Sequence, residues 1–289
     1  MKKLFTLFTV IVLNSIFAQP LISIPAKELN CVIKYEIYDK HLEFNADTIA
    51  DSVKMNLNGE EFYGFKSNNF EFFEKVMKPI ILNHLDELER LPNSEIINQL
   101  TIFVYQIYQD YFGKSFYRWG GDIFDLDDPQ IESIRYKNKY GLDCSGFTVS
   151  GYELAAYFNL IPKEKLIFSS HGFRLFCERT GFEDTGGLIQ KSNNYRLDTK
   201  ELNQIGKEVI RLEKNEKLSE KHINLLQAGD IVGRDGHYGI LVQHDNQLYY
   251  LESGGYVVPF SDYNAVEAKS AIEKFAESGY ISVRRCLTD

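Results

Sequence analysis

Gly141-Leu142-Asp143-Cys144-Ser145-Gly146-Phe147 sets a single cysteine between an acidic residue and a glycine, at the start of an apolar stripe. Phe147, Gly151, Leu154, Ala155 and Phe158 recur at helical steps, so the spacing predicts a helix that opens at Cys144. Asp143 then stands where a side-chain oxygen can cap the first turn. A helix N-terminus presents unpaired N–H groups and a partial positive charge; both favour a thiolate and can hold a developing oxyanion. Gly146 and Gly151 are poor helix formers, which implies that something packs closely against that helix.

Taken alone, Cys144 reads as a buried, inert thiol, since free cysteine is often buried. Its companions change that. Upstream runs Tyr117-Arg118-Trp119-Gly120-Gly121, and downstream Gly229-Asp230-Ile231-Val232 and Gly236-His237-Tyr238-Gly239-Ile240. Asp235-Gly236 is a turn signal and Tyr238, Ile240 and Val242 alternate, so His237 opens a strand. Gly236 and Gly239 leave room around its ring, and a histidine so placed can activate the thiol. His41, His84, His222 and His244 lack this setting; His171, in Ser169-Ser170-His171-Gly172, is an outside candidate.

A third group should orient the imidazole and fix its tautomer. Leu248 to Leu251 form the partner run of a hairpin. A four-residue loop, 243–246, sets His237 opposite Glu252; a three-residue loop, 244–246, sets it opposite Ser253 and turns Glu252 to the other face. Chemistry favours Glu252, and the register stays open.

Elsewhere, Phe70, Phe73, Val76, Ile80, Ile81, His84 and Leu85 share one helical face, with Pro79 expected to bend or break it. Ser94 is a candidate cap for a second helix lined by Ile97, Leu100, Val104, Ile107 and Tyr111 and stopped at Gly113. Residues 19–65 show no strong period; Cys31-Val32-Ile33 and Val53-Lys54-Met55 suit strands or loop cores. Residues 180–226 are charged and turn-rich, with a helix expected near 200–213, and a last strand is expected at 280–285. Asp122, Asp125, Asp127 and Asp128 lack the spacing and closing glutamate of a calcium-binding helix–loop–helix, so a solvated loop is expected. Helices first and strands after read as α+β.

Lys2 and Lys3, the mostly apolar run to Phe17 and small Ala18 are expected to form a signal peptide over 1–18; an uncleaved anchor is the alternative. The protein is therefore expected to be exported, periplasmic or secreted, without stable membrane insertion. Cleavage would take the net charge from −9 to −11, which argues against a nucleic-acid partner. An exported compartment permits disulfides. With Cys144 as nucleophile, at most one bridge joins two of Cys31, Cys177 and Cys286; Cys31 with Cys286 would tie the chain ends. Neither paired cysteines at zinc spacing nor clustered histidines occur, so neither metal nor cofactor is expected.

Tyr117 before Gly120-Gly121, Asp143-Cys144-Ser145-Gly146, Gly229-Asp230 and His237-Tyr238-Gly239-Ile240 come in the order found in the NlpC-type cell-wall cysteine peptidases, which this chain resembles over roughly 97–255. The resemblance implies a papain-like core, with the nucleophile at a helix N-terminus packed on an antiparallel sheet; residues 19–93 have no counterpart in it and are expected, from their own pattern, to form a mainly helical accessory region. The hydrolase domain would span 94–289, with an insertion near 170–226. It implies Cys144 as nucleophile, His237 as base and acid, and Tyr117, Asp143 and Ser145 positioning oxyanion or substrate. The substrate implied is the stem peptide of peptidoglycan. Glu252 stands where the family usually has His, Asn or Gln, closer to an amidase-type Cys-His-Glu arrangement. The Arg-and-Gln element usual after the nucleophile helix is not recognisable around 169–176. A peptidoglycan amidase, a toxin of the same fold and a non-catalytic wall-binding scaffold are the alternatives.

Overall fold

A computed structural model describes residues 22–37, 52–57, 60–66, 68–113, 116–118, 121–124, 126–127, 140–162, 165, 199–203, 205–234, 236–254 and 264–287. Its strands are β1 (Ser23–Pro25), β2 (Ser52–Leu57), β3 (Glu60–Lys66), β4 (Leu126–Asp127), β5 (Lys207–Leu212), β6 (Ile231–Arg234), β7 (His237–His244), β8 (Gln247–Leu251), β9 (Asn264–Glu267) and β10 (Ile281–Arg285). Seven pair antiparallel in the order β1-β9-β8-β7-β6-β10-β5, and β2-β3-β4 form a smaller sheet. The helices are α1 (Asn68–Phe72), α2 (Lys78–Leu82), α3 (Leu85–Leu88), α4 (Asn93–Phe112), α5 (Cys144–Tyr157), α6 (Thr199–Leu202), α7 (Glu220–Ile223) and α8 (Ala268–Ala276). The fold is α+β, as the sequence implies.

Both faces of the large sheet are covered, because β7 is apolar on both. Tyr238, Ile240 and Val242 join the core built with α4 and α5, through Ile97, Leu100, Phe147 and Leu154. Leu241 points the other way, into a second core with Tyr250, Ile272 and Phe275 of α8. His237 has the parity of Leu241, and its ring lies 5.9 Å from that of Phe275. Phe70, Phe73 and Ile81 share the first core with α4 and α5, so residue 93 marks no break in packing.

Several local expectations need correction. Pro79 has no N–H for the carbonyl four residues back; it sits in the first turn of α2, directly after a π-helical turn over Phe73–Met77. Ser94 is not a cap: α4 begins one residue earlier, with Pro92 at its N-cap position, and ends at Gly113 with φ 84°. The helix expected near 200–213 is confined to its start, α6, and 207–212 is strand β5, whose Ile210 and Leu212 are buried against the sheet while β10 pairs with it. Pairing with that strand overrode local propensity. The region before residue 93 is less helical than expected, since it holds the β2–β3 hairpin. Strand β9 and helix α8 were not anticipated; α8 offers only nine residues of apolar stripe.

Asp122 is buried and accepts from the Phe124 N–H (3.0 Å), so it does not belong to a solvated loop. Asp125 and Asp128 lie outside the described residues, as do residues 1–18, His171, Cys177 and the 170–198 part of the expected insertion. Cys31 and Cys286 are buried free thiols, so the bridge between them is not formed. Burial pushes the Cys31 thiol up to about 12 and that of Cys286 higher still. Among the described residues, no helix is long and apolar enough to cross a membrane.

Candidate active site

Cys144 occupies the first position of α5 because Asp143 ends the preceding loop as its N-cap. Asp143 Oδ1 accepts from the Gly146 N–H (2.8 Å) and from the Ser145 hydroxyl (2.7 Å). The first of these bonds satisfies one backbone donor of the first turn, and the second ties the Ser145 hydroxyl to the cap. The N–H of Cys144 has no intrahelical carbonyl to reach, and it lies beside its own sulfur, where an oxyanion would form.

The loop leading to Cys144 is held from three directions. Asn69, fully buried, donates through Nδ2 to Gly141 O (2.8 Å) and accepts at Oδ1 from the Gly141 N–H (3.0 Å). Leu142 N–H donates to Phe116 O (3.0 Å), while Leu142 O accepts from the Ser253 hydroxyl (2.6 Å). Asp143 N–H donates to Gly121 O (3.0 Å). With the backbone polar groups so occupied, the sulfur is fixed relative to both α1 and the end of β8.

The close approach implied by Gly146 and Gly151 is present. A Cβ at Gly146 would stand 2.3 Å from Gly121 O, and one at Gly151 would stand 2.3 Å from Thr101 Oγ1 of α4. Gly146→Ala is therefore expected to destabilise the fold by about 2 kcal/mol, overpacking outweighing the gain in helix propensity. Urea unfolding checks this; a variant as stable as the parent would mean that the loop gives way freely.

His237 begins β7 after Gly236, which has φ 93°. Its Nε2 lies 2.5 Å from Glu252 Oε2 and both side chains are 5% exposed. The hydrogen bond to Cys144 then falls to the other ring nitrogen, Nδ1. Burial alone would push the imidazole down. The hydrogen bonds to Cys144 and Glu252, with the negative charge of both, outweigh it and push the pKa up to about 10. At neutral pH the ring keeps its proton beside the sulfur.

Neither hairpin register weighed above is the observed one. His244 pairs with Gln247, leaving a two-residue turn at Asp245 and Asn246, both at positive φ (47° and 64°). Continued past Leu251, that register sets Gly239 opposite Glu252. His237 and Glu252 are then diagonal neighbours on one face. A four-residue loop differs from this one by two, so it keeps the same face; for that reason Glu252 was readable although its register was not. Gly239 does not leave room for the imidazole: a Cβ there would stand 2.4 Å from the Tyr250 ring and from Leu251 O.

No family model, curated protein or solved structure matches this chain. The site stands on its own geometry. Tyr117 bridges Leu142 in parallel, and its ring lies over Gly254, where a Cβ would stand 2.3 Å away. That puts it on the segments carrying Cys144 and Glu252. Asp143 and Ser145 are buried; Asp143 caps α5, and Ser145 donates its hydroxyl to that cap. Sequence reasoning missed Asn69, Tyr250 and Ser253. Asn69 opens an unremarkable helical segment 72 residues from its partner. Tyr250 sits in a run readable only as strand. Among the described residues, no cluster of His, Cys, Asp or Glu is arranged to hold a metal.

Proposed function

We propose that this protein is an exported thiol hydrolase that cleaves amide bonds in peptidoglycan stem peptides through an acyl-enzyme. The observation that carries the reading is the constellation of Cys144 at a capped helix N-terminus, His237 hydrogen-bonded to it, and Glu252 holding the far ring nitrogen. The thiolate attacks the carbonyl carbon, and the oxyanion is held by the Cys144 N–H with help from Tyr117. His237 passes its proton to the leaving amine as the C–N bond breaks. It then takes a proton from water, which attacks the thioester and returns the thiol. The four-motif resemblance supports the wall peptide as substrate, with no nucleic acid partner, cofactor or metal in the reaction.

Glu252 in the third position favours a second reading, an amidase or toxin of the same fold. Incubating the full chain with purified sacculi, followed by mass analysis, separates them. An endopeptidase releases fragments cut within the stem peptide, whereas an amidase separates the whole peptide from the glycan. Prior alkylation with iodoacetamide is expected to stop release. Sacculi that bind the protein yet yield no fragments with any thiol state would leave a wall-binding scaffold and end the hydrolase reading.

A further inference from the structure

We propose that Tyr250 is a positioning residue of the site: its hydroxyl holds Glu252 as a carboxylate, and through Glu252 it keeps the proton on His237. The inference rests on the thiol hydrolase reading. The Tyr250 hydroxyl donates to Glu252 Oε2 (3.2 Å), the same oxygen that faces His237 Nε2. Tyr250 is 1% exposed, and its ring packs edge-on against Phe275 (5.2 Å), so the hydroxyl is held on its target. Gly239 is part of this arrangement, since a side chain there would occupy the space of the Tyr250 ring.

The chemistry requires such a donor. A neutral amide in the third position carries no charge to desolvate. A carboxylate there brings a second negative group into a buried site already built for a thiolate, and burial penalises it unless donors surround it. Two donors converging on Oε2 offset part of that penalty. Among the ionisable groups around this carboxylate, His237 from β7 and Tyr250 from β8 meet it directly, Cys144 from α5 acts on both of these, and Tyr238 acts on Tyr250. Without the hydroxyl, the carboxylate binds a proton more tightly. It becomes neutral at a higher pH, the imidazolium loses its counter-charge, and the thiolate is lost with it.

The test is the pH dependence of Cys144 alkylation by iodoacetamide in the full chain, a reading independent of substrate. Tyr250→Phe is expected to move the acidic limb of that profile upward by roughly one pH unit, as fits the loss of one hydrogen bond to a charged group. In a Glu252→Gln background the same change is expected to move nothing. Site-specific 3-fluorotyrosine at 250, a stronger donor of nearly the same shape, is expected to move the limb down, and it serves if the phenylalanine variant fails to fold. An unmoved limb with either side chain, or an equal shift in the Glu252→Gln background, overturns the role of Tyr250. A wild-type profile with one ordinary thiol titration would instead overturn the hydrolase reading on which it rests.

Discussion

Cys144→Ala is expected to reduce fragment release from sacculi to background, and His237→Ala to lower it by about 10³-fold. The double variant should be no worse than Cys144→Ala. The reason is that the two side chains form one device. The sulfur is the group that bonds to the carbonyl carbon, and nothing else on the N-terminal turn of α5 can replace it: Ser145 is buried with its hydroxyl donated to Asp143. His237 serves the sulfur twice, as counter-charge to the thiolate and as proton carrier to the leaving amine. Residues that act as a unit are not additive, so the loss of one leaves the other without work. Neither variant removes a bond that holds the Gly141–Asp143 loop, but His237→Ala strips a buried partner from Glu252, so urea unfolding accompanies its activity measurement. Residual cleavage by Cys144→Ala at the wild-type rate would place the chemistry elsewhere in the molecule.

Alkylation separates the two roles of the histidine. If His237 supplies the counter-charge, His237→Ala is expected to slow iodoacetamide modification of Cys144 at neutral pH as well as hydrolysis. If it acts only as proton carrier, alkylation stays fast and hydrolysis alone falls. The ring's raised proton affinity, to about 10, favours the first outcome.

Residues that announce chemistry locally were legible, and those that act at a distance were not. Asp143-Cys144 could be read because a cap and a helix stripe are neighbours in sequence, and the strand at His237 because a turn and an alternation adjoin it. Glu252 could be read because strand parity survives an error of two in loop length. The two-residue turn was hidden by its composition: Asp245-Asn246 tolerates positive φ without a glycine to flag it. Strand β5 was misread as helix because Lys207–Leu212 carries charges at helical spacing, while its buried Ile210 and Leu212 answer to β10 across the sheet. Gly146 and Gly151 signalled a close contact without saying with what. The partners, Gly121 O and Thr101, lie 25 and 50 residues upstream.

Asn69 has the greatest consequence among the unread residues, and Asn69→Ala is expected to cost about 3 kcal/mol of stability. Three groups lose their partner at once: the Gly141 N–H, the Gly141 carbonyl and the Tyr108 hydroxyl, which donates to Asn69 Oδ1 (3.2 Å). Each unsatisfied buried group costs roughly 1–3 kcal/mol, and water entering the vacated space offsets part of the sum. Tyr108→Phe in the same chain should add little beyond Asn69→Ala, since both changes break one shared bond. Urea unfolding of the four members of that cycle measures the coupling. The consequence for function is separate from stability. Gly141 is three residues from Cys144, and its φ of 145°, with a Cβ that would stand 2.1 Å from Phe116 O, leaves the loop few alternative paths. Freed from Asn69, the loop no longer places the sulfur against His237, and a misplacement near 1 Å costs about 10²-fold in rate. That loss should appear well below the melting temperature of the variant, in hydrolysis and in alkylation together. Full activity at such a temperature would reduce Asn69 to a stability residue. A loss in both would show that the region before residue 93 builds the active site from beneath, through a core side chain, rather than covering it as a lid.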